Sequence, residues 1–161
     1  MSQLAEIYKE NKQSLFLLAL SITKNSADAE DAIHDAVLSI SKKDLSKVSN
    51  PRAYTFMAVR NACYDKLRRR KKLVSDPESI FVEQEADAPE SRLFVEERNE
   101  LLQSALNQLS EKEKEIIVLK LYSDFTFDQI SHMYNEPLPT ISSRYRRSLK
   151  KLKSKMEVLM V

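Results

Sequence analysis

The sequence predicts an all-α protein made of two small helical domains joined by an acidic linker. Three observations lead there. Glycine is absent from the 161 residues and no long alternating apolar–polar stretch occurs, so strands are not called for. Apolar residues recur at three- and four-residue spacing along most of the chain. Two S/T-x-x-E/Q capping boxes, Ser110 with Glu113 and Thr126 with Gln129, announce helix starts.

The first helix is expected over residues 4–22, with Leu4, Ile7, Tyr8, Leu15, Leu18 and Ile22 on its buried side. Phe16, Leu17 and Leu20 widen that side, which implies neighbours in more than one direction. Lys24 and Asn25 end it, and Ser26 is the expected cap of the next helix. Asp28, Glu30 and Asp31 fill that helix's first turn, where carboxylates suit the dipole. It reaches about Ser41 and buries Ala29, Ile33, Ala36, Val37 and Ile40. A polar loop over 42–49 follows. Asn50 then offers a cap and Pro51 a first helical residue. The third helix is expected over 51–72, with Tyr54, Phe56, Met57, Cys63, Tyr64 and Leu67 as its apolar and aromatic members.

Its end carries Arg68, Arg69, Arg70, Lys71 and Lys72. A helix C-terminus favours cations by only about 0.3–1 kcal/mol. Five in succession exceed that role and suggest phosphate contacts. Residues 74–89 read as a linker. Asp76, Glu78, Glu83, Glu85, Asp87 and Glu90 stand in and beside it without one Lys or Arg. The net charge of +2 therefore conceals two basic patches flanking an acidic tether, a distribution suited to a polyanion partner. The domains are bounded as 1–73 and 90–161. A fourth helix begins near Pro89 and buries Leu93, Phe94, Leu101, Leu102, Ala105, Leu106 and Leu109. The Ser110 box opens another, expected over 111–122.

The stretch 126–155 is the most informative. Thr126 caps a short helix with Ile130, Met133 and Tyr134 on one side. Asn135 follows, a residue suited to the left-handed conformation that closes a helix. Pro137 bars simple continuation, and Pro139 fits the first turn of a second helix. That helix buries Ile141, Tyr145, Leu149, Leu152, Met156 and Leu159. Its other face carries Thr140, Ser142, Ser143, Arg144, Arg146, Arg147, Lys150 and Lys151. A short helix, a tight turn and a long basic helix make a helix-turn-helix shaped for a major groove.

Several function classes are excluded. Without glycine there is no Gly-rich phosphate loop and no dinucleotide fingerprint. Cys63 is the single cysteine, so there is no intrachain disulfide or cysteine-based zinc site. His34 and His132 make no metal pair. No nucleophile–base pair is visible, and neither an enzyme nor a cofactor is expected. The apolar run 15–20 is too short to span a bilayer, and residues 1–13 are too polar for a signal peptide. No membrane insertion and a cytoplasmic location are expected.

Asp28-Ala29-Glu30-Asp31-Ala32-Ile33-His34-Asp35 resembles the DAEDLVQE stretch of extracytoplasmic-function (ECF) sigma factors of the sigma-70 family. Asn50-Pro51-Arg52-Ala53-Tyr54-Thr55-Phe56, then Ala58-Val59-Arg60-Asn61 and Asp65-Lys66-Leu67-Arg68-Arg69-Arg70, are similar to the same family's PRAYLF, ARN and D.LRRR pieces. Leu109-Ser110-Glu111-Lys112-Glu113 and residues 130–144 resemble its C-terminal segments. Asn135 and Pro139 stand where the family has Gly, Ser142 where it has Lys, and Val37 where it has Phe.

The resemblance implies an RNA polymerase sigma factor that recognises and melts promoters to initiate transcription. Asp31, Asp35 and Leu38 would bind the β′ clamp helices of core polymerase, and the β flap would be a second core contact. Tyr54, Arg60, Asn61, Arg68, Arg69 and Arg70 would hold the minus-ten element, with loop 42–50 forming a pocket for an extruded base. Thr140, Ser142, Ser143, Arg144, Arg146, Arg147 and Lys150 would read the minus-thirty-five element. An anti-sigma factor is a candidate partner. Two alternatives stay open from the residues themselves: a stand-alone helix-turn-helix regulator, which needs a dimer interface, and a helical adaptor that binds only protein. Tyr54 and Phe56 also suit a core, and Asp28, Glu30 and Asp31 also suit an ordinary helix start.

Overall fold

The computed structural model describes residues 2–74 and 97–159. Among them every regular element is helical. Helix α1 spans Gln3–Thr23 and is capped by Ser2, whose hydroxyl accepts from the Ala5 amide at 3.1 Å. Lys24 closes it at φ 58°, a left-handed conformation that costs a side-chain-bearing residue roughly 1–2 kcal/mol. Its amide donates to the Leu20 carbonyl at 2.8 Å in return. Helix α2 spans Ser26–Ser41. Its cap is Asn25, not Ser26: Asn25 has the extended backbone a cap requires, and its side chain accepts from the Asp28 amide at 3.0 Å. A short 3-10 turn, Leu45–Lys47, interrupts the loop that follows.

Helix α3 spans Pro51–Val74, two residues longer than expected, with Asn50 accepting from the Ala53 amide at 3.0 Å. Helices α1, α2 and α3 form a three-helix unit. Leu15, Leu18, Ala19 and Ile22 meet Ala29, Ala32, Ile33 and Ala36, and both rows meet Phe56, Val59 and Cys63. The small residues of α2 let its neighbours approach closely. Cys63 is fully buried, and burial pushes its thiol up to about 12, so it behaves as a small apolar residue. A satellite cluster of Leu4, Ile40 and Leu45 seals the far end.

The second unit contains α4 (Glu97–Leu106), α5 (Glu111–Ile117), α6 (Phe127–Tyr134) and α7 (Leu138–Leu159). Linker 74–89 lies outside the described residues apart from Val74, as do Leu93, Phe94 and the expected start of α4 near Pro89. Both capping boxes are present. The helix expected over 111–122 does run that far, but its last part, Val118–Tyr122, widens into a π-helix. The Phe125 amide then reaches back to the Leu119 carbonyl at 3.0 Å, and Asp124 takes a left-handed φ of 59°. With no glycine available, Lys24, Asp124 and Asn135 supply the positive-φ turns among the described residues.

The two units pack against each other and share one core. Ala105, Leu106, Ile116, Ile117, Phe125, Ile130 and Ile141 join the α1–α3 residues. Phe56 of α3 and Phe125 meet edge-to-face, with ring centroids 5.0 Å apart. No helix among the described residues is long and apolar enough to cross a membrane.

Candidate nucleic-acid interface

Helices α6 and α7 form the helix-turn-helix. Thr126 accepts from the Gln129 amide at 3.0 Å while Gln129 accepts from the Thr126 amide at 2.9 Å, fixing the entry to α6. Asn135 closes α6 at φ 52°, as its residue type predicts. Glu136, in the turn, binds Lys112 of α5 and accepts from Nη1 of Arg144 at 2.6 Å. Those partners, Lys112 first and then Arg144, hold its carboxyl below the usual range. The turn is thus braced from both sides, and one donor of the Arg144 fork is committed to it. A guanidinium has five N–H donors, so the rest of the fork remains for a ligand.

Ile141 and Leu152 anchor α7 in the core. Ser148, left off the apolar stripe by its polarity, is also buried and donates to the Arg144 carbonyl at 2.6 Å. Thr140, Ser142, Ser143 and Arg144 are half-buried at the start of α7, whereas Arg146, Arg147 and Lys150 are exposed further along it. Ser142 donates to the Pro139 carbonyl at 3.2 Å. Lys151 turns back to Glu113 at 2.9 Å.

On the first unit, loop 42–50 and helices α2 and α3 border a groove of about 460 Å³. Lys43, Tyr54, Asn61, Lys66 and Arg69 line it, together with the carboxylates of Asp35 and Asp65. Lys43 donates to the Tyr54 hydroxyl at 2.8 Å and lies 5.5 Å from its ring centroid. An aromatic face beside cations suits an unstacked base and its phosphate. Phe56 takes no part, being fully buried.

The basic run divides. Arg70 is pinned to Asp28 of α2 at 2.8 Å, and Arg68 pairs with Asp65, while Arg69 and Lys71 are exposed. Replacing Arg69 by Gln should therefore flatten the log–log salt dependence of single-stranded DNA binding by roughly 0.7 for each phosphate that Arg69 neutralises. Arg70→Gln should instead loosen α3 from α2. Titrations at several salt concentrations, read beside urea unfolding, check both outcomes.

Asp31, Asp35 and Leu38 share one exposed face of α2. Leu38 is 50% exposed, and Asp31 also reaches Lys66 at 3.3 Å.

Arg60 is placed elsewhere than beside Tyr54. It binds Glu115 of α5, between the two units. Glu115 is 1% exposed, and its carboxylate accepts from Arg60, from the Tyr64 hydroxyl, and from the Tyr134 hydroxyl at 2.6 Å. Burial, reinforced by that carboxylate, pushes both phenols above their ordinary range. Beside it Lys114, also 1% exposed, donates to the Ser21 carbonyl of α1 at 3.1 Å and pairs with Glu111 at 3.0 Å. Arg52 donates to the Ser123 carbonyl and to Asn11 at 2.9 Å, with its guanidinium 3.9 Å from the Phe125 ring centroid. None of this was legible in the sequence, where residues 111–115 look like a solvated charge run. The one hint was the fully apolar stretch 116–119 beside it, which implies burial on all sides.

Among the described residues no group of three His, Cys, Asp or Glu could hold a metal.

Two family models match the chain: Sigma-70 region 2 over residues 7–73 and Sigma-70 region 4 over residues 105–154. RNA polymerase sigma factor SigV of Bacillus subtilis (strain 168) is 30% identical over 148 residues, covering 88% of this chain and 83% of the relative. ECF RNA polymerase sigma factor SigM of the same organism is 26% identical over 153 residues, covering 92% of each chain. Among solved structures, the sigma factor RpoE in complex with the anti-sigma factor NepR from Bartonella quintana superposes with a TM-score of 0.71 at 25% identity, over 95% of this chain and 98% of that one. CnrH in complex with the cytosolic domain of CnrY gives 0.66 at 16% identity, over 96% and 88%, a likeness of fold.

Proposed function

Because this chain belongs to the sigma-70 family of RNA polymerase sigma factors, in its extracytoplasmic-function group, we propose a division of labour between its two domains. The chain is a sigma factor that directs RNA polymerase to promoters and initiates transcription there. The domain of about residues 1–73 binds the β′ clamp helices through Asp31, Asp35 and Leu38. Its groove beside Tyr54, with Asn61, Arg69 and, once released from Glu115, Arg60, holds the minus-ten strand. Extruding a base costs a few kcal/mol, roughly. Stacking on Tyr54 offsets part of that, at about 1–3 kcal/mol per base. The domain of about residues 90–161 reads the minus-thirty-five element through Thr140, Ser142, Ser143, Arg144, Arg146, Arg147 and Lys150 and meets the β flap. It works in the cytoplasm as a non-enzymatic initiation factor, with an anti-sigma protein as a candidate regulator.

One observation supports this division: a long basic helix and a groove beside Tyr54 stand on different units of a single chain. A basic helix suits a duplex groove, and a groove that sets the Tyr54 ring beside Lys43, Lys66 and Arg69, which outnumber its two carboxylates, suits an unstacked strand. A stand-alone regulator needs only the first. Asp31→Lys with Asp35→Lys is expected to abolish stable binding to purified core polymerase while leaving duplex DNA affinity undiminished. Core binding as strong as wild type would remove α2 from the polymerase contact.

A further inference from the structure

Within the second domain, one carboxylate ties the basic helix to the turn before it. Glu136 follows the left-handed Asn135, and its amide donates to the Ser131 carbonyl at 3.0 Å. The backbone that carries the carboxylate is therefore fixed by the end of α6. The two oxygens take different partners: Oε1 accepts from Lys112 of α5, and Oε2 accepts from Nη1 of Arg144 at 2.6 Å. The start of α7 is fixed as well, since Ile141 is fully buried and its amide donates to the Pro137 carbonyl at 3.1 Å. The side chains of Glu136 and Arg144 are 23% and 25% exposed, so both are packed along much of their length.

An untethered arginine beside a duplex is drawn to phosphate, a contact that carries no sequence information. Tied at one nitrogen, Arg144 keeps a fixed angle, with the rest of its fork free for the paired acceptors of a guanine edge. The carboxylate also repels any phosphate that approaches the tied nitrogen. Lys112 holds it from behind, so it keeps its place when Arg144 meets DNA.

We propose that Glu136 is a positioning residue for promoter reading: it holds Arg144 to a base edge and away from phosphate, raising specificity while lowering affinity for duplex DNA of any sequence. The proposal rests on the assignment of Arg144 to the minus-thirty-five element made above.

Glu136→Gln, Arg144→Ala and their combination, each in the full chain, test this against wild type. Sequencing the bound fraction of a library of randomised duplexes reads the base preference at each position. Anisotropy on a mixed-sequence duplex, titrated over salt, reads the phosphate contacts. Arg144→Ala should erase the preference at one position. Glu136→Gln should weaken that same preference several-fold, out of the roughly 5–150-fold that one bidentate contact supplies. It should also bind the mixed-sequence duplex several-fold more tightly, with a log–log salt slope steeper by roughly 0.9 for the phosphate that Arg144 gains. In the Arg144→Ala background, Glu136→Gln should change neither the preferences nor the slope. A carboxylate that merely braced the turn would act alike in both backgrounds. Glu136→Asp keeps the charge but withdraws it by one methylene group. It should relax the same position, an effect that net charge cannot produce, and it decides alone should Glu136→Gln lose its helical circular dichroism. A preference as sharp as wild type in Glu136→Gln, or an equal shift with and without Arg144, overturns the positioning role. If Arg144→Ala alters no preference, base reading by Arg144 fails first and the positioning role falls with it, so the two failures are distinct.

Discussion

Phe125→Ala is expected to lower the stability of the folded chain by about 3–5 kcal/mol in urea unfolding. The ring is fully excluded from water. It packs edge-to-face on Phe56, and the Arg52 guanidinium lies over it at 3.9 Å. Truncation removes the transfer energy of the ring and leaves a cavity between two helical units that cannot collapse without moving one against the other. It also strips the partner from a guanidinium whose stem is packed there. A loss below about 1 kcal/mol would contradict the shared core, because only a ring already exposed in solution could be removed so cheaply.

Arg144→Ala is expected to weaken binding to a duplex bearing the minus-thirty-five element by about 1–3 kcal/mol, the usual discrimination of one bidentate guanine contact. Two features make the effect large. Ile141 and Leu152 hold α7 rigidly, and Glu136 anchors one side of the guanidinium at 2.6 Å, so little side-chain freedom is lost on binding. The same brace sets a pH dependence. Lys112 and Arg144 lower the Glu136 carboxyl in the folded state, so its contribution is complete above the ordinary Glu value and is lost as pH falls through the lowered one. Specific binding should therefore persist into mildly acidic solution, where an unpaired Glu begins to protonate. Fluorescence anisotropy on cognate and scrambled duplexes separates the outcomes. An equal loss on both would show that Arg144 touches phosphate alone.

The parts of the fold that were legible are those encoded within a few residues. The capping boxes at Ser110 and Thr126, the left-handed Asn135 and the early Pro139 each act through their own backbone, so spacing alone located them. Asn25 and Ser26 are both good caps, and the choice fell to the one whose backbone leaves the α1 turn extended. The π-helix at Val118–Tyr122 has no local signal of its own. The Glu115 cluster was illegible for a different reason. Its partners lie 55, 51 and 19 residues away, and only tertiary packing converts a charge run into a buried hub. The same packing divided the site. Tyr54 and Asn61 stayed with the α2–α3 groove, while Arg60 turned toward the second domain.

Run-off transcription with purified core polymerase on a library of genomic fragments is the most direct measurement. The chain should create discrete start sites that core polymerase alone does not use, and the Asp31→Lys, Asp35→Lys double variant should lose them. Transcripts indistinguishable from those of core polymerase without the chain would contradict its role in choosing promoters.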